Sequence, residues 1–104
     1  MDHNFNINDP EAGLRFAASV VAPTSGRTMD VFTDMPAMQL YAGCCLESIH
    51  EGSCGRKYGR FEGFCMETQY APDSINHPNF PDSVLYAGEK YDYTTVFAFD
   101  TVED

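Results

Sequence analysis

Glu67 is the residue whose position most invites chemistry. It lies in the run Phe61-Glu62-Gly63-Phe64-Cys65-Met66-Glu67-Thr68, whose composition reads as a β-strand. Side chains alternate between the two faces of a strand, so Glu67 shares a face with Cys65, Gly63 and Phe61. A carboxylate on such a face is expected to be desolvated, which raises its pKa toward the range useful for general acid–base work. The other reading is a strand-end Glu that reaches solvent or pairs with a neighbour such as Arg60. Gln39, within Met38-Gln39-Leu40-Tyr41, shares a face with Tyr41. Its amide carries both a donor and an acceptor and suits a ligand hydroxyl, or else it faces water. Asp2 and His3 are a polar pair at the amino end, and on pattern alone they read as a frayed terminus. His50 falls in a Gly/Ser-rich loop and His77 in Asn76-His77-Pro78, and neither is assigned a proton-transfer role. The chain has no G-x-S-x-G, no Gly-rich phosphate loop and no H-E-x-x-H.

Cys44, Cys45, Cys54 and Cys65 are spaced C-C-x8-C-x10-C. Zinc sites gather C-x2-4-C pairs, and none is present, so no metal is expected. Reduced thiols are the reading. The even count leaves a disulfide framework as the alternative.

The elements that must hold these residues read as all-β. Leu14 to Ala22 and Arg27 to Asp34 flank Pro23-Thr24-Ser25-Gly26 and predict a hairpin, with Gly26 free to take positive φ. Pro36 separates this hairpin from a short strand at Met38–Tyr41. Glu47 to Tyr58 reads as a surface loop, and Phe61–Thr68 and Tyr93–Phe99 as two further strands. Pro72, Pro78 and Pro81 make Ala71 to Ser83 an irregular, packed loop. No ten-residue stretch has a helical period. The Phe61–Thr68 run is apolar on both faces, with Phe64 and Met66 opposite Phe61 and Cys65. Such a strand expects a covering layer on each side, and the chain is short of one.

The chain has 104 residues, with Lys+Arg 6 against Asp+Glu 16 and a net charge of −10. That allows a single domain without an internal boundary. Hydrophobic residues at 43% and charged residues at 21% place it among globular rather than disordered chains. The acidic balance excludes nucleic acid and anionic membrane surfaces as partners. No apolar run reaches the roughly 20 residues of a membrane span, and Met1-Asp2-His3-Asn4 does not open a basic-then-apolar leader. A soluble cytoplasmic chain is the expectation.

Blocks of sequence in order carry more information than any single residue. Asp2-His3-Asn4-Phe5 is followed by Pro23-Thr24-Ser25-Gly26-Arg27, Thr33-Asp34-Met35-Pro36 and Met38-Gln39-Leu40-Tyr41-Ala42-Gly43. Then come Gly63-Phe64-Cys65-Met66-Glu67-Thr68-Gln69, Pro72-Asp73-Ser74 and Asn76-His77-Pro78-Asn79-Phe80-Pro81. Gly88-Glu89-Lys90-Tyr91 and Thr94-Thr95 close the series. In content and order this closely resembles the C-terminal part of the aldose 1-epimerase (galactose mutarotase) family, from Asp2 to about Phe99. The chain departs from the family pattern at Cys44-Cys45, where an Asn and an aromatic residue are usual, and at Ala37, where Gly is common.

The resemblance implies an antiparallel β-sandwich of the galactose mutarotase type, with residues 1–104 as the C-terminal portion of the domain. That would account for the missing layer. It also implies interconversion of the α and β anomers of free aldohexoses without a cofactor, Glu67 as the general base, and sugar binding by Asp2 and Gln39. The general-acid His of the family belongs to its N-terminal part, so the isolated chain is expected to be weakly active or inactive. A non-catalytic carbohydrate-binding remnant is the alternative. Exposed strand edges on such a piece favour self-association.

Overall fold

Every segment that alternates β-prone side chains forms a strand, and proline or positive-φ residues separate most of them. The structure is a computed structural model that describes residues 1–102. Its strands are β1 (Asp2–Asn6), β2 (Arg15–Ala22), β3 (Arg27–Thr33), β4 (Ala37–Tyr41), β5 (Cys65–Gln69) and β6 (Thr95–Thr101). They make two three-stranded antiparallel sheets, β1-β4-β5 and β2-β3-β6. One 3-10 turn, Ser74–Asn76, is the only helical element among the described residues. The chain is all-β, as expected.

The β2–β3 hairpin forms where the turn residues place it. Gly26 sits at φ +71° and donates its N–H to the Ala22 carbonyl at 2.8 Å. Pro36 then carries the chain from the β3 sheet to the β4 sheet. The buried Thr33 hydroxyl fixes this crossover, accepting from Met35 N at 3.1 Å and bonding Thr95 Oγ1 at 3.0 Å. Thr95 Oγ1 in turn meets Thr68 Oγ1 at 2.7 Å, a hydroxyl chain that ties β3 and β6 to β5 of the other sheet. Arg15 Nη1 donates to the carbonyls of Thr33 and Met35, each at 2.9 Å. Around the crossover lies the small apolar core of Val31, Met35, Ala37 and Met38.

Three sequence expectations need correction. The amino end is not frayed, because Asp2 to Asn6 pair with β4 along their whole length. The Phe61–Thr68 strand begins only at Cys65. Phe61 takes φ +64° and gives its N–H to the Gly43 carbonyl at 2.9 Å. Phe61 therefore belongs to a turn whose backbone packs against Gly43, where an added Cβ would strike the Gly63 carbonyl, and its side chain is left exposed. The last strand starts two residues later than Tyr93, because Thr94 N caps the Asp34 carboxylate at 3.0 Å and Tyr93 turns toward Tyr70.

The expected shortage of a layer is visible as exposed apolar surface. On β6, Val96 is exposed on one face and Phe97 and Phe99 on the other, Phe99 at 77%. The radius of gyration is 16.6 Å, against about 13 Å for a compact domain of this length. The accessible surface is 7854 Å², against roughly 5,800 Å² for a compact monomer of the same mass.

Candidate functional site

Antiparallel pairing puts directly opposed residues on the same face of a sheet. In the β1-β4-β5 sheet the opposed sets are Asp2–Tyr41–Cys65, Asn4–Gln39–Glu67 and Asn6–Ala37–Gln69. Asp2, Gln39 and Glu67 therefore lie on one face, with Gln39 directly between Asn4 and Glu67. The alternate positions His3, Leu40 and Met66, and Phe5, Met38 and Thr68, form the other face. One face is thus a field of carboxylates and amides, and the other is largely apolar.

Hydrogen bonds link the polar face across its strands. Gln39 Nε2 donates to Asp2 Oδ1 at 2.7 Å. Gln69 Nε2 donates to Asn4 Oδ1 at 2.9 Å and to Gln39 Oε1 at 3.2 Å. Carboxylate acceptors and amide donors at this spacing match the alternating donors and acceptors of adjacent hydroxyl groups. Among the described residues, no side chain hydrogen-bonds or ion-pairs with Glu67. Its carboxylate is exposed, not buried as the sequence suggested. The Ala37 end of this face is buried, whereas the Glu67 end lies open. The pairing with Arg60 does not form either.

At one end of the face, and sharing Asn4, Asn6 and Ala37 with it, lies an open depression of about 660 Å³ lined also by Pro72, Asn79 and Phe80. The loop at its rim is internally braced. His77 Nε2 meets Asp73 Oδ2 at 3.1 Å and its ring stacks on Phe80 with centroids 4.5 Å apart. Hydrogen bonds from Asn76 and His77 hold the Asp73 carboxyl below the usual carboxylate range. His77 is thus committed to the loop, and His50 lies exposed in another. Further along the sequence, the Tyr70 phenol bonds Tyr93 Oη at 2.7 Å. That bond, together with partial burial, pushes the Tyr70 pKa up to about 12.

All four cysteines are free thiols. Cys44 and Cys45 bring their sulfurs to 3.9 Å, and the neighbouring Cys44 thiol pushes the Cys45 thiol up. Among the described residues, no three His, Cys, Asp or Glu side chains converge as a metal site.

Of the residues read from sequence, the structure brings Asp2 and Gln39 into contact and sets Glu67 opposite Gln39 in the adjoining strand. Asn4 and Gln69 belong to the same network and were not assigned. The available signal was period two, which carries Asp2 to Asn4 and Glu67 to Gln69.

The aldose 1-epimerase family profile matches residues 1–98. The galactose mutarotase of Bos taurus is 43% identical over 98 residues, covering 94% of this chain and 28% of that protein. The galactose mutarotase of Homo sapiens is 42% identical over the same shares. The aldose 1-epimerase of Escherichia coli is 32% identical over 100 residues, covering 94% of this chain and 29% of that protein. The chain thus spans little more than a quarter of the length of these relatives. With the family profile matched from residue 1 to 98, the chain belongs to the aldose 1-epimerase family.

Proposed function

We propose that residues 1–104 form the C-terminal portion of an aldose 1-epimerase domain. The polar face of β1-β4-β5 is then one wall of a site that interconverts the anomers of a free aldohexose such as galactose or glucose. The observation that carries this reading is the placement of Asp2, Gln39 and Glu67 on a single face, with Asp2 and Gln39 already bonded at 2.7 Å.

In this reading Asp2 and Gln39 hold sugar hydroxyls, the carboxylate as acceptor and the amide as both donor and acceptor. Glu67 takes the proton of the anomeric hydroxyl while an acid protonates the ring oxygen. The C1–O5 bond opens to the free aldehyde, C1–C2 rotates, and the steps reverse on the other carbonyl face. The scheme needs no cofactor. His3 alternates to the opposite face, while His50 and His77 lie in loops. The family resemblance assigns the acid to a His in the N-terminal part of the family sequence. That part also covers the face and desolvates Glu67, which these residues alone leave exposed. The four free thiols suit a reducing compartment, and a cytoplasmic setting is part of the proposal.

Polarimetry tests it. The isolated chain is expected to accelerate galactose mutarotation little or not at all, and addition of the N-terminal remainder of a relative is expected to restore the rate. If the folded, assembled pair gave no acceleration, the reading would be wrong. A second reading, a non-catalytic carbohydrate-binding remnant, is favoured by one observation: Asp2 and Gln39 are paired for hydroxyls while no histidine lies on their face. It predicts saturable amide shifts with galactose and no rate from the assembled pair.

A further inference from the structure

A primary amide has nearly the same shape in either orientation, but turning it over exchanges its donor for its acceptor. The chemistry Gln39 offers a ligand therefore depends on what fixes its amide. We infer that Gln69 is a positioning residue that, from the side opposite Asp2, holds the Gln39 amide in one orientation, and through it sets the way Asp2 and Gln39 meet a sugar.

Four side chains on three strands form the network. Gln69 lies two residues beyond Glu67 on β5, so both project on the polar face. Its Nε2 donates both to Asn4 Oδ1 on β1, at 2.9 Å, and to Gln39 Oε1 on β4, at 3.2 Å. The Asp2 carboxylate only accepts, so it takes the Gln39 nitrogen and leaves the Gln39 oxygen facing Gln69, which must answer with its own nitrogen. Gln39 then meets Gln69 with its oxygen and Asp2 with its nitrogen, at 2.7 Å. The reverse orientation would set Gln39 Oε1 against the Asp2 carboxylate, acceptor against acceptor. Donation thus runs from Gln69 to Gln39 to Asp2 as one directed relay, with Asn4 accepting from the same Gln69 amide. It leaves the second Gln39 N–H and the other Asp2 oxygen for the ligand, one donor beside one acceptor.

The sugar part of this inference rests on the reading of Asp2 and Gln39 as substrate-binding residues. The relay itself does not, and the experiment separates the two. The 104-residue chain is labelled with ¹⁵N, and the Gln39 side-chain NH2 resonances are followed in the wild type and in Gln69→Glu, Gln69→Met and Gln69→Lys. Backbone amide dispersion reports folding in each. In the wild type one Gln39 proton is expected downfield and slow to exchange, because it is held by the Asp2 carboxylate. Gln69→Lys keeps an inward donor and retains that signature. Gln69→Glu sets an acceptor against Gln39 Oε1, competes with Asp2 for the amide N–H and loses the signature, whereas Gln69→Met leaves Asp2 to hold the amide alone and keeps part of it. Persistence of the full signature in a folded Gln69→Glu chain overturns the relay. So does equal loss in all three variants, which would mark a packing role.

Galactose titration on the same samples gives the second arm. Gln69→Glu is expected to weaken binding about tenfold, the worth of one net hydrogen bond, and Gln69→Lys much less. A wild-type chain that shows no galactose response while keeping the amide signature refutes the sugar-binding reading and leaves the relay standing.

Discussion

At the scale of single residues, the proposal that Asp2 and Gln39, 2.7 Å apart, bind a hydroxyl rests on the charged acceptor, which strengthens every bond it takes part in. Asp2→Ala removes that acceptor, and a hydrogen bond to a charged group contributes about 1.5–3 kcal/mol. Galactose affinity, followed by amide shifts, is therefore expected to fall about tenfold or more, without loss of the β1–β4 backbone pairing. A second residue-scale prediction concerns the Tyr70–Tyr93 bond. It favours the neutral phenol and raises the Tyr70 pKa to about 12, above an ordinary tyrosine value of about 10. The sign follows from linkage: the stabilisation is complete below about pH 10 and is lost as the pH rises through about 12. Tyr93→Phe keeps an aromatic ring but removes the hydroxyl, so the ultraviolet ionisation of Tyr70 should move down toward 10. Site residues were legible to different degrees. Glu67, Asp2 and Gln39 came from their motif blocks, whereas the burial expected of Glu67 depends on a layer the strand pattern cannot supply. Asn4 and Gln69 passed unassigned because a neutral amide in a strand has no signature until register places another beside it.

At the scale of elements, the sheet-to-sheet crossover is the most demanding local structure, since the chain must change sheets with its polar backbone buried. Thr33 meets that need by accepting from Met35 N and bonding Thr95. Thr33→Val keeps the shape and removes the acceptor, which leaves a buried N–H unpaired. A loss of about 1–3 kcal/mol in urea unfolding is expected. Gly26, at φ +71°, closes the β2–β3 hairpin in a conformation that costs other residues roughly 1 kcal/mol. Gly26→Ala should show that loss in the same assay, with the Val102 side chain, 3.3 Å from the added Cβ, giving way slightly. The hairpin was legible because turn residues and alternation agree there. The start of β5 was not. Phe61 to Phe64 have strand composition, and only the close approach of the Gly43 and Gly63 backbones, a contact distant in sequence, turns them into a loop.

At the scale of the whole molecule, two small sheets with exposed apolar faces and a surface of 7854 Å² describe a structure that gains from being covered. Left alone, the chain is expected to self-associate through its strand edges and the Phe97–Phe99 face. Sedimentation should show mass rising with concentration, and Phe99→Lys should reduce it. Assembly with the N-terminal remainder of a relative should suppress that association and raise the melting temperature, because the covered state binds a partner the unfolded chain does not. The central claim is that this assembled face uses Glu67 as its base. The most direct measurement is the polarimetric rate of galactose mutarotation by the assembled pair, with the native chain and with Glu67→Gln. Loss of a positioned base predicts a fall of about 10²–10⁴ in rate with assembly intact. Equal restoration of activity by both chains would contradict the assignment of Glu67.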